Sequence, residues 1–279
     1  METVDLTHID WQRNITSFTS GGAYFKAAEP VDGQRCYYKL SNYDDELGFI
    51  GYESVYEFLA AKLGRLLGFA VLDCEIIKAA VQHNGKEYVT FVQKTQDFLP
   101  VGRSKAPFER VYELQHQPQE TRLDFLRRLG FGQQADEMLL FDYLIYNRDR
   151  HCNNLELIKN GELELAPLFD NGVSFFAPLA GRQSEIEQFD VLSNRITNSD
   201  FGSRYLEDNL ALICTDDLEL PSLDEGSLRQ IWFTDFQDDE GFPQWHRDKC
   251  LNLVLRRYAR ATAILANNSV LRNSGEVQE

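Results

Sequence analysis

Asp149, Asn154 and Asp170 are the residues of this sequence whose types and spacing could do chemistry together. The first two belong to Asp142-Tyr143-Leu144-Ile145-Tyr146-Asn147-Arg148-Asp149-Arg150-His151-Cys152-Asn153-Asn154, and the third opens Asp170-Asn171-Gly172. Apolar residues at helical spacing, Met138, Phe141 and Ile145, stop at a cluster of Asn, Asp, Arg and His that cannot be buried without partners. That is the pattern of a catalytic loop at the end of a helix. An Asp, an Asn five positions on and an Asp before Gly serve phosphoryl transfer as a base and two metal ligands. Mg²⁺ takes hard oxygens such as the Asn154 amide oxygen and the Asp170 carboxylate. Asp149 would then orient or receive the proton of an acceptor hydroxyl.

Such a loop needs a partner surface that grips phosphate. Ile15 to Lys26 reads as strand, glycine turn and strand, and the adjacent Gly21 and Gly22 let backbone amides approach a ligand closely. An ordinary hairpin turn has the same composition. Backbone groups of Thr19, Ser20, Gly21, Gly22 and Ala23 are the candidates to cover the phosphates, with Lys26 adding charge. Arg35 to Leu40 is strand-like and delivers Lys39. The next segment, from Tyr52, carries apolar residues at 55, 58, 59, 63, 66 and 67 and predicts an amphipathic helix stopped by Gly68. Glu53 and Glu57 lie one turn apart on it, and either could hold the phosphate-binding lysine as kinases do. Strands near 70–78 and 88–93, joined by His83-Asn84-Gly85-Lys86, complete a small sheet. Gln93, Lys94 and Thr95 would then border the adenine.

From residue 97 the pattern turns helical, near 109–116, 119–129, 133–147, 204–214, 225–234 and 245–267. The expected fold class is α+β, a two-lobed protein-kinase-like fold with a small β-rich N-lobe (1–95) and a mainly α-helical C-lobe (96–279). The stripe of Leu251, Val254, Leu255, Tyr258, Ala261, Thr262 and Leu265 in the last helix predicts core. Residues 173–203 show little periodicity and carry Ser174, Ser184, Ser193, Thr197 and Ser199. Their place after Asp170 makes them an activation segment.

The chain has 279 residues, 43% of them hydrophobic, and a net charge of −16. It is long enough for a large core, and a nucleic-acid backbone or an anionic membrane is an unsuitable main partner for such a surface. Its five cysteines, at 36, 74, 152, 214 and 250, show neither zinc-ligand pairing nor an even disulfide count. No apolar run approaches the ~20 residues of a membrane span. A reducing, cytoplasmic setting is expected, and delivery to another cell without a cleavable signal is compatible with the same features.

The same residues suggest two other chemistries. Asp149, His151 and Asp170 read as metal ligands, but His8, His83, His116 and His246 supply no converging cluster for a hydrolytic site. Cys152 beside His151 suggests a nucleophile, yet adjacent side chains rarely face one substrate. The role of His151 stays open between structural and phosphate-facing.

Lys39 after its strand, Glu57 in the helix ending at Gly68, the stretch Asn147 to Asn154, and Ala166-Pro167-Leu168-Phe169-Asp170-Asn171-Gly172 together resemble the HipA-like serine/threonine kinases. The compact CtkA-type (cell-translocating kinase) branch is the most similar. The resemblance implies ATP and Mg²⁺ as cofactors, a protein hydroxyl as acceptor, Glu57 rather than Glu53 as the partner of Lys39, and Asp142 as support for the loop. It also implies autophosphorylation, in the activation segment or at Ser17, Thr19 or Ser20, and a bacterial intracellular target, an antitoxin partner or a host protein. Asp-Arg-His followed by Asn is shared with phosphatidylinositol kinases, so a lipid kinase is the alternative enzyme. A low-turnover kinase fold kept for binding or as a toxin–antitoxin component is the non-enzymatic one.

Overall fold

The computed structural model describes residues 1–12, 24–99, 102–214, 218, 220–236 and 241–274. Its N-terminal part is built from strands β1 (Thr3–Leu6), β2 (Lys26–Val31), β3 (Gln34–Lys39), β4 (Tyr43–Asp44) and β5 (Gly48–Phe49), helix α1 (Glu53–Leu66), and strands β6 (Glu75–His83) and β7 (Lys86–Gln96). Five strands form one sheet in the order β1-β6-β7-β3-β2. Both long hairpins close through residues at positive φ, Asp32 (51°) and Gly33 (78°) in one, Asn84 (49°) and Gly85 (73°) in the other. These tight turns match the twist of the flanking strands. β1, which the polar lead did not foretell, pairs in parallel with β6 and buries only Leu6. It is an edge strand with too little apolar alternation to be read from sequence.

The sheet has two differently used faces because side chains alternate along each strand. Tyr38, Leu40, Val81 and Val92 point to an outer cluster with Leu6, Ile9 and Trp11. The other face packs on α1, whose Val55, Phe58, Leu59 and Leu63 are buried. Helix α1 ends where expected, with Gly68 at φ 78°. Gly64 is needed for contact, since a Cβ there would lie 2.5 Å from Val71 Cγ1.

The C-terminal part adds β8 (Ser104–Pro107), α2 (Phe108–Gln115), α3 (Arg122–Arg128), α4 (Gly132–Ile145), β9 (Glu156–Asn160), β10 (Glu162–Leu165), α5 (Gln183–Gln188), α6 (Glu225–Phe233) and α7 (Gln244–Ser274). The helical pattern from residue 97 onward predicts no sheet in this part, yet β10-β9-β8 is one. The helix expected over 204–214 is instead a 3₁₀ turn at Asp208–Leu212. Asn209, buried in that turn, accepts from Ser203 N at 2.6 Å and donates to Ser203 O at 3.0 Å, tying the turn to the loop before it.

The largest hydrophobic cluster runs from α1 and the inner sheet face through α4, α6 and α7 without interruption. Inside it, Tyr56 on α1 and His246 on α7 share a hydrogen bond of 2.7 Å between Oη and Nε2. Leu72 N and Leu168 N donate to Leu168 O and Ala70 O, both at 2.8 Å, so the chain just before Asp170 is stitched to the end of α1's connection.

Candidate active site

Helix α4 stops because Tyr146, at φ 54°, turns the chain into the left-handed region. The residues that follow form a loop anchored from beneath. Arg150 is 1% exposed and clasps Asp142 through Nε and Nη2, while Asn147 Nδ2 donates to the same carboxylate at 2.8 Å. Arg150 also donates to Phe169 O at 3.1 Å and to Asn171 Oδ1, tying the catalytic loop to the segment carrying Asp170. A charge this deeply buried is tolerable because its donors are met by a carboxylate and carbonyls. Asp142 thus supports the loop.

Asp149 faces a cleft of about 740 Å³, and its amide donates to Asn147 Oδ1 at 3.1 Å. Its Oδ1 accepts from Asn198 Nδ2 at 2.8 Å, and Oδ2 lies 3.6 Å from His151 Nε2. Asn154, in the 3₁₀ turn Cys152–Asn154, donates Nδ2 to the Asp149 carbonyl at 2.8 Å. That bond fixes the amide so that Oδ1, buried and without a hydrogen-bond partner, is an available hard oxygen. Asp170 has φ 57°, a strained backbone for a non-glycine residue, and its Oδ1 pairs with Lys39 Nζ.

The sheet contributes a row of polar side chains. In register across β2, β3 and β7 stand Lys26, Lys39 and Gln93, and one step on are Tyr37 and Thr95. Lys39, Gln93 and Thr95 border a second, much smaller cleft with Leu72 and Phe169. Lys94 lies on the opposite face and donates to Glu75 at 3.1 Å, so it does not share this cleft. Burial, and next the neighbouring Lys39 charge, press the Lys26 pKa down. Burial also opposes the charge on Lys39, but Asp170 and then Glu57 overcome it and the net shift is upward.

The expected Lys39–Glu57 ion pair does not form, because Lys39 sits on Asp170. Glu57 Oε1 accepts instead from Asn171 Nδ2 at 3.2 Å, and its Oε2 has no hydrogen-bond partner. Asn171 therefore bridges Arg150 and Glu57, a role the sequence did not suggest. Burial raises the Glu57 pKa, with Lys39 acting against it. Glu53 is also buried, and its Oε2 accepts from Asn42 N at 2.9 Å. Gly172 lets these pieces meet, since a Cβ there would lie 2.9 Å from the Glu53 carbonyl oxygen.

Thr19, Ser20, Gly21, Gly22 and Ala23, with Ser17, lie outside the described residues. In the activation segment, Ser174 and Thr197 are buried, Ser184 is exposed, and Ser193 and Ser199 are half-buried. Asn198 is the residue sequence reasoning missed. Its backbone N donates to Arg148 O at 2.8 Å and Asp200 N donates to Arg150 O at 3.1 Å, laying residues 198–200 against the loop. The thiol of Cys152 is pushed up to about 12 by burial and by Asp200, which removes it as a nucleophile near neutral pH. Among the described residues no group of three or more His, Cys, Asp or Glu could hold a metal ion. A magnesium–phosphate site needs only one or two carboxylates. No helix among them is long and apolar enough to cross a membrane.

No protein-family model matches the chain and no curated protein matches it in sequence. Among solved structures it is similar to the Helicobacter pylori proinflammatory kinase CtkA, with a TM-score of 0.68 and 15% identity over 97% of this chain and 99% of that one. A fainter likeness, TM-score 0.39 and 15% identity over 93% of this chain and 59% of the other, is to HipA in the Shewanella oneidensis MR-1 toxin–antitoxin complex with HipB and operator DNA. The first shows that the chain has the CtkA-type, two-lobed kinase fold, and the second is too low to carry an argument.

Proposed function

We propose that a chain with this fold is an ATP- and Mg²⁺-dependent serine/threonine protein kinase of HipA-like type, with an N-lobe of residues 1–95 and a C-lobe of 96–279. The single observation that carries the reading is the Asn154 amide, pinned by the Asp149 carbonyl so that a buried, partnerless oxygen accompanies the carboxylates of Asp149 and Asp170. That donor set fits magnesium, which prefers hard oxygens and leaves further positions to phosphate and water. Asn154 and Asp170 would hold it. When bound, it would neutralise phosphate charge during transfer.

The chain's own residues supply the rest. Lys39 and Lys26 bind phosphate oxygens, and Glu57 keeps a negative charge near Lys39 to retain its proton. Gln93 and Thr95 line the wall for the base, and backbone groups of Thr19 to Ala23 are the proposed phosphate cover. Asp149 takes the proton of the acceptor hydroxyl as phosphorus is attacked, with Oδ1 held by Asn198 and Oδ2 beside His151. Asp170 must exchange Lys39 for metal, and the Lys39–Asp170 pair gives the site a resting arrangement in which both charges are balanced. Autophosphorylation belongs to the reading, at Ser184, the exposed candidate of the activation segment, or at Ser17, Thr19 or Ser20. Five free cysteines support a reducing location.

The test is transfer of labelled phosphate from ATP with Mg²⁺ to the protein itself, to a mixed protein substrate and to phosphoinositide vesicles, comparing wild type with Asp149→Ala and Asp170→Ala. Transfer to protein by wild type alone is expected. Equal behaviour of all three proteins refutes the enzyme, and transfer confined to vesicles turns the assignment to a lipid kinase.

A further inference from the structure

Two arginines of the larger cleft are held in place without being neutralised. Arg148 donates Nη2 to the Ile196 carbonyl at 2.9 Å, and its buried Nε has no partner. Arg204 donates Nε to the Thr197 carbonyl at 3.1 Å. Among the described residues neither pairs with a carboxylate within 4.0 Å, whereas Arg65, Arg128, Arg182, Arg229 and Arg260 each do. A carbonyl tether fixes the guanidinium but leaves its positive charge whole, which is how a preorganised oxyanion site is made. In a chain with 44 acidic and 28 basic residues, two such arginines in one cleft are a local reversal of the overall charge.

Their position separates them from the nucleotide side. Arg148 and Arg204 border the larger cleft with Asp149 and not the smaller one lined by Gln93 and Thr95. Lys26, Lys39 and Asp170 border both clefts and mark where the two meet. Beside Arg204, Ile196 and Tyr205 form an isolated antiparallel bridge and remain 50% and 40% exposed. An apolar ledge next to unneutralised arginines fits a polypeptide segment with mixed acidic and apolar side chains.

We propose that Arg148 and Arg204 form an acceptor subsite for a side-chain oxyanion, so that the hydroxyl presented to Asp149 comes from an acidic polypeptide segment. This inference rests on the phosphotransferase reading above and names its substrate class. A carboxylate and a phosphoserine offer the same paired oxygens to a guanidinium.

The test uses the full chain and a positional peptide library around a central Ser or Thr, with Glu, phosphoserine, Gln or Lys at each flanking position. Wild type is expected to prefer an acidic residue at one or two positions by about tenfold or more in kcat/KM. The Glu and phosphoserine arms tell which oxyanion is favoured. Arg204→Gln and Arg148→Gln should each shrink the preference to about threefold or less, Arg148→Lys and Arg204→Lys should keep part of it, and Arg204→Glu should favour Lys-bearing peptides. Circular dichroism establishes that each variant is folded. Rates indifferent to peptide charge, or a preference that survives the double Gln variant, overturn the subsite. If no peptide is modified, anisotropy of the labelled Glu and Gln peptides decides: equal affinity overturns it, and charge-selective binding lost in Arg204→Gln supports it. Absence of transfer to any acceptor, the protein included, sinks the kinase reading separately.

Discussion

Asn198 donates its side-chain amide to Asp149 Oδ1 at 2.8 Å across 49 residues of chain, so the activation segment reaches back to orient the proposed base. Asn198→Ala is expected to lower kcat about tenfold, in the range of a lost orienting hydrogen bond, with little change in the KM for ATP. Asn198→Asp should be worse, because a second carboxylate would face Asp149. Steady-state kinetics on both variants check this, and an effect confined to the ATP KM would remove Asn198 from the base's surroundings.

Lys39 and Asp170 make a separate prediction about stability. Their side chains are 11% and 18% exposed, and removing the cation leaves the half-buried Asp170 and the buried Glu57 uncompensated in one pocket. Lys39→Met should destabilise the protein by about 3–5 kcal/mol at neutral pH. Asp170→Asn should cost roughly half as much or less, since Glu57 Oε2, without a hydrogen-bond partner, can receive Lys39. Urea unfolding of the two variants gives the comparison, and the reverse ranking would show that Glu57 does not stand in.

Gly172 permits Asp170 to sit where it does. A Cβ at this position meets the Glu53 carbonyl at 2.9 Å, an unyielding backbone atom. Gly172→Ala should therefore destabilise by about 1–3 kcal/mol and reduce phosphate transfer, because α1 and the Asp170 segment must separate. Unchanged melting and unchanged activity would contradict the contact.

Acid should loosen the interior around His246. Burial pushes its pKa down to about 3 from 6.5, and the neutral ring shares a hydrogen bond with the Tyr56 hydroxyl. The unfolded chain binds this proton first, so the full stability is present above about pH 6.5 and falls as pH drops toward 3. Each unit in that window removes roughly 1.4 kcal/mol through this group. Wild type should lose about 2 kcal/mol more than His246→Phe between pH 6.5 and 5, and parallel losses in chemical denaturation would discount the histidine.

Much of this site was legible because its residue types are unusual for their surroundings. A polar cluster ending an apolar helix identified Asp149 and Asn154, and Lys39 stood out at the end of an aromatic strand. The β6–β7 hairpin followed from its Asn-Gly dipeptide. The partner of Lys39 was not legible, since Glu57 and Asp170 both carry a carboxylate and only the three-dimensional seat of Asn171 decides between them. Asn198 left no signal, because its role depends on a loop whose path no periodicity records. The second sheet was hidden for a similar reason: its strands are short, and β8 pairs with residues about fifty positions away.

The hydrogen bond between Tyr56 and His246 joins the helix behind Lys39 to the last long helix of the chain, inside one unbroken cluster. Melting of the N-terminal sheet is thereby coupled to melting of the helical part, and calorimetry should record a single cooperative transition with no half-folded plateau. An outward swing of α1 would expose that cluster to water. Separating the two parts would therefore forfeit the burial they share, and neither is expected to melt ahead of the other.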